Sequence, residues 1–166
     1  MWMGLIHHDV TLLDFDEIYS LQPRLSRAAD ERICLRDIKE ANLFCTRETL
    51  EEIRRRLAAR SGRGITYIGN GNYHYVPFLL LREIKEPFSL VLFDNHTDAK
   101  VLCMPELVSC GSWISEAARL PHLQRVIMVG VHSPCPGFPP DLAKKIVLWP
   151  ETDRCPSRHS RRRAGG

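Results

Sequence analysis

The residues of this sequence best equipped for chemistry are Asp94-Asn95-His96-Thr97-Asp98. Asp94 and Asp98 supply hard carboxylate oxygens and His96 an imidazole nitrogen, a donor set without thiolate that favours manganese, zinc or iron. Side chains alternate along an extended segment, so Asp94, His96 and Asp98 are expected on one side of it, where they could converge on a cation. A second polar stretch, Gly69-Asn70-Gly71-Asn72-Tyr73-His74-Tyr75, has glycines that permit a tight turn and would aim His74 at the first stretch. Gly-x-Gly loops also cradle phosphates, but neither a third glycine nor a Lys-Ser/Thr pair follows here. An isolated Asp-x-His-x-Asp is often only a polar loop, and an isolated histidine is usually just hydrogen-bonded. What joins the two stretches is that each directly follows an apolar run.

Those runs are the elements that must position the site. Residues 65–68 read as a buried strand leading into the His74 loop. Residues 76–84 are apolar and helical in length, with Pro77 acceptable only in the first turn. Phe-Ser-Leu-Val-Leu-Phe at residues 88–93 has the continuous apolar character of a central parallel strand covered on both faces. Further strands are expected at 12–16, 125–131 and 146–149, and a short helix at 114–120. Residues 46–60 form the clearest helix: Thr46 can cap it, and Leu50, Ile53 and Leu57 recur at helical spacing. Arg54, Arg55 and Arg56 should face solvent, and Ser61-Gly62-Arg63-Gly64 should stop the helix. Residues 32–44 fit no single element. Alternation of strand and helix predicts an α/β protein with a doubly wound parallel sheet. Ligands of such sheets bind beyond the carboxyl ends of the strands, where both polar stretches fall.

Composition sets the outer bounds. With 166 residues, 44% of them hydrophobic and 26% charged, the chain suits one globular domain, expected over residues 1–153. The net charge of +3 is misleading, because five arginines lie in the last 13 residues, and taking those five away leaves −2 for the rest. Residues 154–166 therefore read as a basic, disordered tail, and nucleic acid is not an expected partner. No apolar run approaches the ~20 residues of a membrane-spanning helix. His7, His8 and Asp9 interrupt the start, so no secretory signal is expected and the reading is cytoplasmic. The six cysteines form no Cys-x-x-Cys pair and are expected as free thiols.

With these residues in view, the chain resembles the ureohydrolase family of arginases, agmatinases and formimidoylglutamases. Asp94-Asn95-His96-Thr97-Asp98 is similar to that family's Asp-Ala-His-x-Asp motif, and Gly71-Asn72-Tyr73-His74-Tyr75 to a diverged Gly-Gly-Asp-His-Ser motif that keeps its histidine. The resemblance covers roughly residues 65–131. It implies an arginase-like doubly wound fold, with His74, Asp94, His96 and Asp98 as metal ligands and Asp94 bridging two manganese ions. It further implies hydrolysis of a linear carbon–nitrogen bond in a small guanidino or amide substrate by a metal-activated hydroxide. A bound metal lowers the pKa of water from ~15.7 to ~7, which makes the nucleophile available at neutral pH. Ser109-Cys110-Gly111-Ser112-Trp113 resembles the family's substrate-contacting loop, which implies a substrate-binding role for Ser109.

The chain also departs from that pattern. A later Asp-x-Asp completes the family's binuclear site, and Glu151-Thr152-Asp153, which has the spacing, arrives too soon. Lys100 stands where a substrate-facing polar group such as asparagine is common, and Trp113 where arginases carry a catalytic histidine. Family enzymes run to about twice this length, so the sheet is expected to be incomplete on its C-terminal side. The change of composition at Arg154 suggests a chain diverted from its natural continuation. Two other readings stand beside the hydrolase: a non-catalytic metal-binding relic or regulatory protein, and a single-metal amide hydrolase of the deacetylase kind, for which Zn2+ would serve. An unfinished sheet edge would invite pairing with another copy, so a homo-oligomer is an open expectation.

Overall fold

A computed structural model describes residues 7–132 and 138–149. The fold is mixed α/β with parallel sheets. Its strands are β1 (Val10–Asp14), β2 (Glu31–Cys34), β3 (Phe44–Thr46), β4 (Ile65–Tyr67), β5 (Phe88–Phe93), β6 (Leu107–Ser109), β7 (Leu123–Val129) and β8 (Ile146–Trp149). The helices are α1 (Pro23–Ala28), α2 (Arg47–Leu57), α3 (Pro77–Leu81), α4 (Trp113–Ala117) and α5 (Pro140–Ala143). One-turn 3-10 helices form at Ile18–Leu21 and Gly71–Tyr73.

The described parallel strands do not join into one sheet. They form two three-stranded parallel sheets, β2-β1-β4 and β5-β7-β8, with an antiparallel pair β3-β6 beside them. Segment 32–44, which periodicity left unassigned, spans most of β2, a loop and the start of β3. The expectation that 88–93 is a central strand covered on both faces is corrected. Among the described residues β5 pairs only with β7, and it alternates between covered and exposed positions, leaving Phe93 78% exposed. Among the same residues β4 pairs only with β1, and Ile65 and Tyr67 stand exposed on it.

α2 forms where the pattern placed it. The Thr46 hydroxyl accepts a hydrogen bond from the Thr49 N–H at 3.1 Å, satisfying one of the amides that a helix start leaves free. Leu50, Ile53 and Leu57 are buried on one stripe, and Arg54 and Arg55 face solvent. That stripe belongs to a core that also takes Leu13 from β1, Val108 from β6, Val126 and Met128 from β7, and Ile114 and Ala117 from α4. Burying each large aliphatic side chain contributes roughly 1.5–3 kcal/mol. Ser61-Gly62-Arg63-Gly64 does more than stop the helix. The Gly64 N–H donates to the Asp9 carboxylate at 2.8 Å, and a side chain at residue 64 would collide with the Asp9 backbone, so only glycine lets this loop enter β4.

α3 is shorter than the apolar run suggested, ending at Leu81, with Pro77 in its first turn. At the carboxyl end of β1, Asp14 is buried and accepts from Arg36 Nε at 2.7 Å and from Arg32. Burial alone would raise this carboxyl, but the two guanidiniums outweigh it and hold the group below its ordinary value. Cys34, Cys45, Cys103 and Cys110 are free thiols, and burial pushes Cys45 up to about 12, so it is inert at neutral pH. Cys135, Cys155, Glu151-Thr152-Asp153 and the tail from Arg154 lie outside the described residues. Among the described residues, no helix is long and apolar enough to cross a membrane.

Candidate metal centre

The two loops that follow β4 and β5 meet, although their strands belong to different sheets. His74 Nδ1 lies 3.0 Å from an Asp98 carboxylate oxygen and 3.2 Å from one of Asp94. His74, Asp94 and Asp98 thus offer one nitrogen and two carboxylate oxygens, all within 4.8 Å of one another. That is a group of donors able to hold a metal ion.

Local sequence explains how His74 is aimed. Gly69, just past β4, adopts φ +86°, a left-handed conformation that glycine takes without strain. The chain then makes the 3-10 turn, capped by the Asn70 side chain, which accepts from the Asn72 N–H at 2.8 Å. Both neighbours of the histidine are anchored. Tyr73 stacks on Phe15, with ring centroids 4.1 Å apart and planes 9° from parallel. Tyr75 is fully buried and donates its hydroxyl to the Ala41 carbonyl at 2.6 Å. With a tyrosine fixed on either side, His74 has little freedom to turn away.

Asp94 and Asp98 are held from other directions. The Asp94 N–H donates to Val129 at the end of β7 at 3.1 Å, and its side chain accepts from the His96 N–H at 2.9 Å. Asp98 is buried, with φ +47°. Its backbone carbonyl accepts from the Ile114 N–H of α4 at 3.0 Å, and its carboxylate accepts from the Trp113 indole N–H at 2.9 Å. The His74 ring also lies against Trp113, with centroids 5.4 Å apart. The hydrogen bond to Asp98 raises the pKa of His74; burial opposes it, and the charges of Asp98 and Asp94 add to the rise.

The structure therefore brings together three of the four expected ligands. His96 stays outside the group: its side chain is 66% exposed, and its Nδ1 lies 3.5 Å from the Asp94 carboxylate. The alternation argument fails here because residues 94–98 bend rather than run extended, and the left-handed turn at Asp98 points that carboxylate inward while His96 faces out. Ser109 ends β6, and its backbone N–H and hydroxyl both donate to the Ser112 hydroxyl, at 2.9 and 3.1 Å, shaping the turn into α4. Sequence reasoning did not find the supporting roles of Tyr73, Tyr75 and Trp113. The aromatic residues flanking His74 were the signal available for the first two. Nothing local marks Trp113, which lies 15 residues from the carboxylate it serves.

The fold and site together define an α/β protein with parallel sheets and a His/Asp/Asp cluster of metal-binding type. No family model matches the chain. It is similar to an uncharacterized protein of Thermotoga maritima, 35% identical over 126 residues, which are 76% of this chain and 50% of that protein. The chain spans about half the length of this relative.

Proposed function

We propose that this chain carries a ureohydrolase-like metal centre for hydrolysis of a linear carbon–nitrogen bond in a small guanidino or amidino substrate. The observation that carries the reading is the convergence of His74 with Asp94 and Asp98 from two separate loops, each beyond the carboxyl end of a parallel strand. His74 Nδ1 and the two carboxylates would hold the ion, and manganese suits their oxygen-rich donor set, with zinc as the alternative. When bound, the metal supplies water activated for attack at neutral pH. Asp98 is kept in place by the Trp113 indole, and Asp94 has its second oxygen toward the His96 side, where it can serve an additional ion. His96 completes such a site by a side-chain rotation that its exposure leaves open. In this reading the two parallel sheets are parts of one arginase-like doubly wound sheet.

The position of His96 also supports a second reading, in which a single ion is bound without turnover. Elemental analysis and activity assays separate the two. The hydrolase reading expects two manganese ions per chain and urea or ammonia release from at least one guanidino or amidino compound, lost in Asp98→Asn. One ion with no turnover across such compounds supports the binding protein, and one zinc with amide hydrolysis supports the deacetylase-like enzyme. If neither manganese nor zinc raises the melting temperature, and His74→Ala melts as the parent does with and without metal, the metal centre itself is rejected.

A further inference from the structure

At the opposite end of the strands from the metal cluster lies a cavity of about 390 Å3. Its walls come from the C-terminal part of α2, from the loop that enters β4, and from the segment between α3 and β5. Leu57 and Leu79 form its apolar floor, and its charged lining is Arg54, Arg60, Arg63, Arg82, Lys85 and Glu83. Five cations therefore face one acid across the opening. Glu51 is ion-paired with Arg54 and Arg82, and counting it with Glu83 leaves an excess of three positive charges among the described residues.

Cations at helix C-termini are ordinary, because they answer the exposed carbonyls there. That accounts for Arg54 and Arg82. It does not account for Arg60 and Arg63, which lie in the loop. The Arg60 side chain is only 6% exposed, lines the cavity, and among the described residues is bonded to one carboxylate, Glu83, at 2.7 Å. A guanidinium is a planar fork of five N–H donors that cannot lose its charge, so Arg60 keeps a positive charge at the cavity wall. Arg63 and Lys85 are exposed at the rim and, among the described residues, form no ion pair. A smaller cavity of about 170 Å3 shares Arg60, Arg63 and Glu83 and is otherwise lined by Gly64, Thr66, Leu80, Leu81 and Ile84, so the positive charge is concentrated at the larger one.

We propose that this cavity is a second binding site, for a small molecule bearing a diphosphate group. A phosphate group carries roughly −1.5 to −2 charges near neutral pH, so two linked phosphates match the excess. Four guanidiniums around one cavity also suit the several oxygens of linked phosphates better than a lone carboxylate. The site does not rest on the metal reading, since it shares no residue with the His74 cluster.

The test is isothermal titration of the metal-stripped full chain with inorganic pyrophosphate, ADP, AMP and orthophosphate at low salt. One saturable site is expected for pyrophosphate or ADP, at least about tenfold weaker for AMP and orthophosphate. Tighter binding of ADP than of pyrophosphate assigns a nucleotide, and equal binding assigns the diphosphate alone. Arg60→Gln should weaken binding about tenfold or more. Because that change also breaks a buried ion pair, the paired rim variant Arg63→Glu with Lys85→Glu provides an independent test and should abolish binding. His74→Ala should leave it unchanged. The arginine-rich tail could attract polyanions by itself, so Arg161→Gln, Arg162→Gln and Arg163→Gln are combined in a further variant, which should bind as the parent does. Absence of saturable binding overturns the proposal. So does binding that survives the rim variant, that is lost only with the tail arginines, or that is as tight for orthophosphate as for pyrophosphate.

Discussion

Trp113 touches two members of the metal cluster at once, donating its indole N–H to Asp98 and lying against the His74 ring. Groups that orient ligands in this way typically change metal affinity by about 10–100-fold when removed. Trp113→Phe keeps an aromatic ring but deletes the donor. Calorimetric titration with manganese should show affinity at least about tenfold weaker, and unchanged affinity would remove Trp113 from the site. His74 gives the cluster a pH dependence of two opposite signs. Its pKa in the folded chain is raised by the bond to Asp98. In the metal-free protein, the stability it contributes is fully present below the unfolded histidine value, about 6.5, and is lost as pH rises through the raised folded value. Metal binding requires the neutral imidazole, so metal affinity should fall as pH drops below that raised value. Urea unfolding without metal and manganese titration, each across pH, should show these opposing trends, and His74→Ala should flatten the first.

Among the elements, α2 is the one whose existence and ends follow most directly from local chemistry. Thr46→Ala removes its cap, and chemical denaturation should register a loss of about 1 kcal/mol, with manganese affinity unaffected because α2 contributes no ligand. A change in metal binding would mean that α2 positions the cluster more directly than its contacts indicate. The other elements show where periodicity stops informing. Residues 88–93 read as a central strand because the run is continuously apolar. Yet Ser89, Val91 and Phe93 are exposed, because the face of β5 that they share is left uncovered among the described residues. An apolar run records that a strand can be buried on both faces; what covers it depends on residues far away in sequence. The His74 loop makes the same point from the other side. Its glycines and asparagines announce a turn, but the direction of the imidazole depends on Tyr73 meeting Phe15 and Tyr75 reaching Ala41.

At the scale of the molecule, the two parallel sheets each end in a strand whose outer edge is unpaired among the described residues, β4 in one and β5 in the other. Exposed apolar side chains mark both, Ile65 and Tyr67 on β4 and Val91 and Phe93 on β5. Unpaired apolar edges act as templates for another chain. Sedimentation velocity should therefore show concentration-dependent self-association of the purified chain, reduced by Phe93→Lys. A monomer at all concentrations, unaltered by the substitution, would show that these edges do not pair with a second copy.

Residue types and order were enough to indicate an α/β protein, the positions of β4, β5 and α2, and His74 with the Asp94–Asp98 stretch as the place to look for metal. These features depend on neighbours in sequence: apolar periodicity, a capping hydroxyl, glycines where the chain must turn. Which ligands converge was decided in three dimensions. The left-handed turn at Asp98 and the indole from α4 bring that carboxylate to His74, while the bend between them leaves His96 facing solvent. The division into two sheets was likewise beyond local reading, because strand pairing is set by long-range contacts that no window of residues contains.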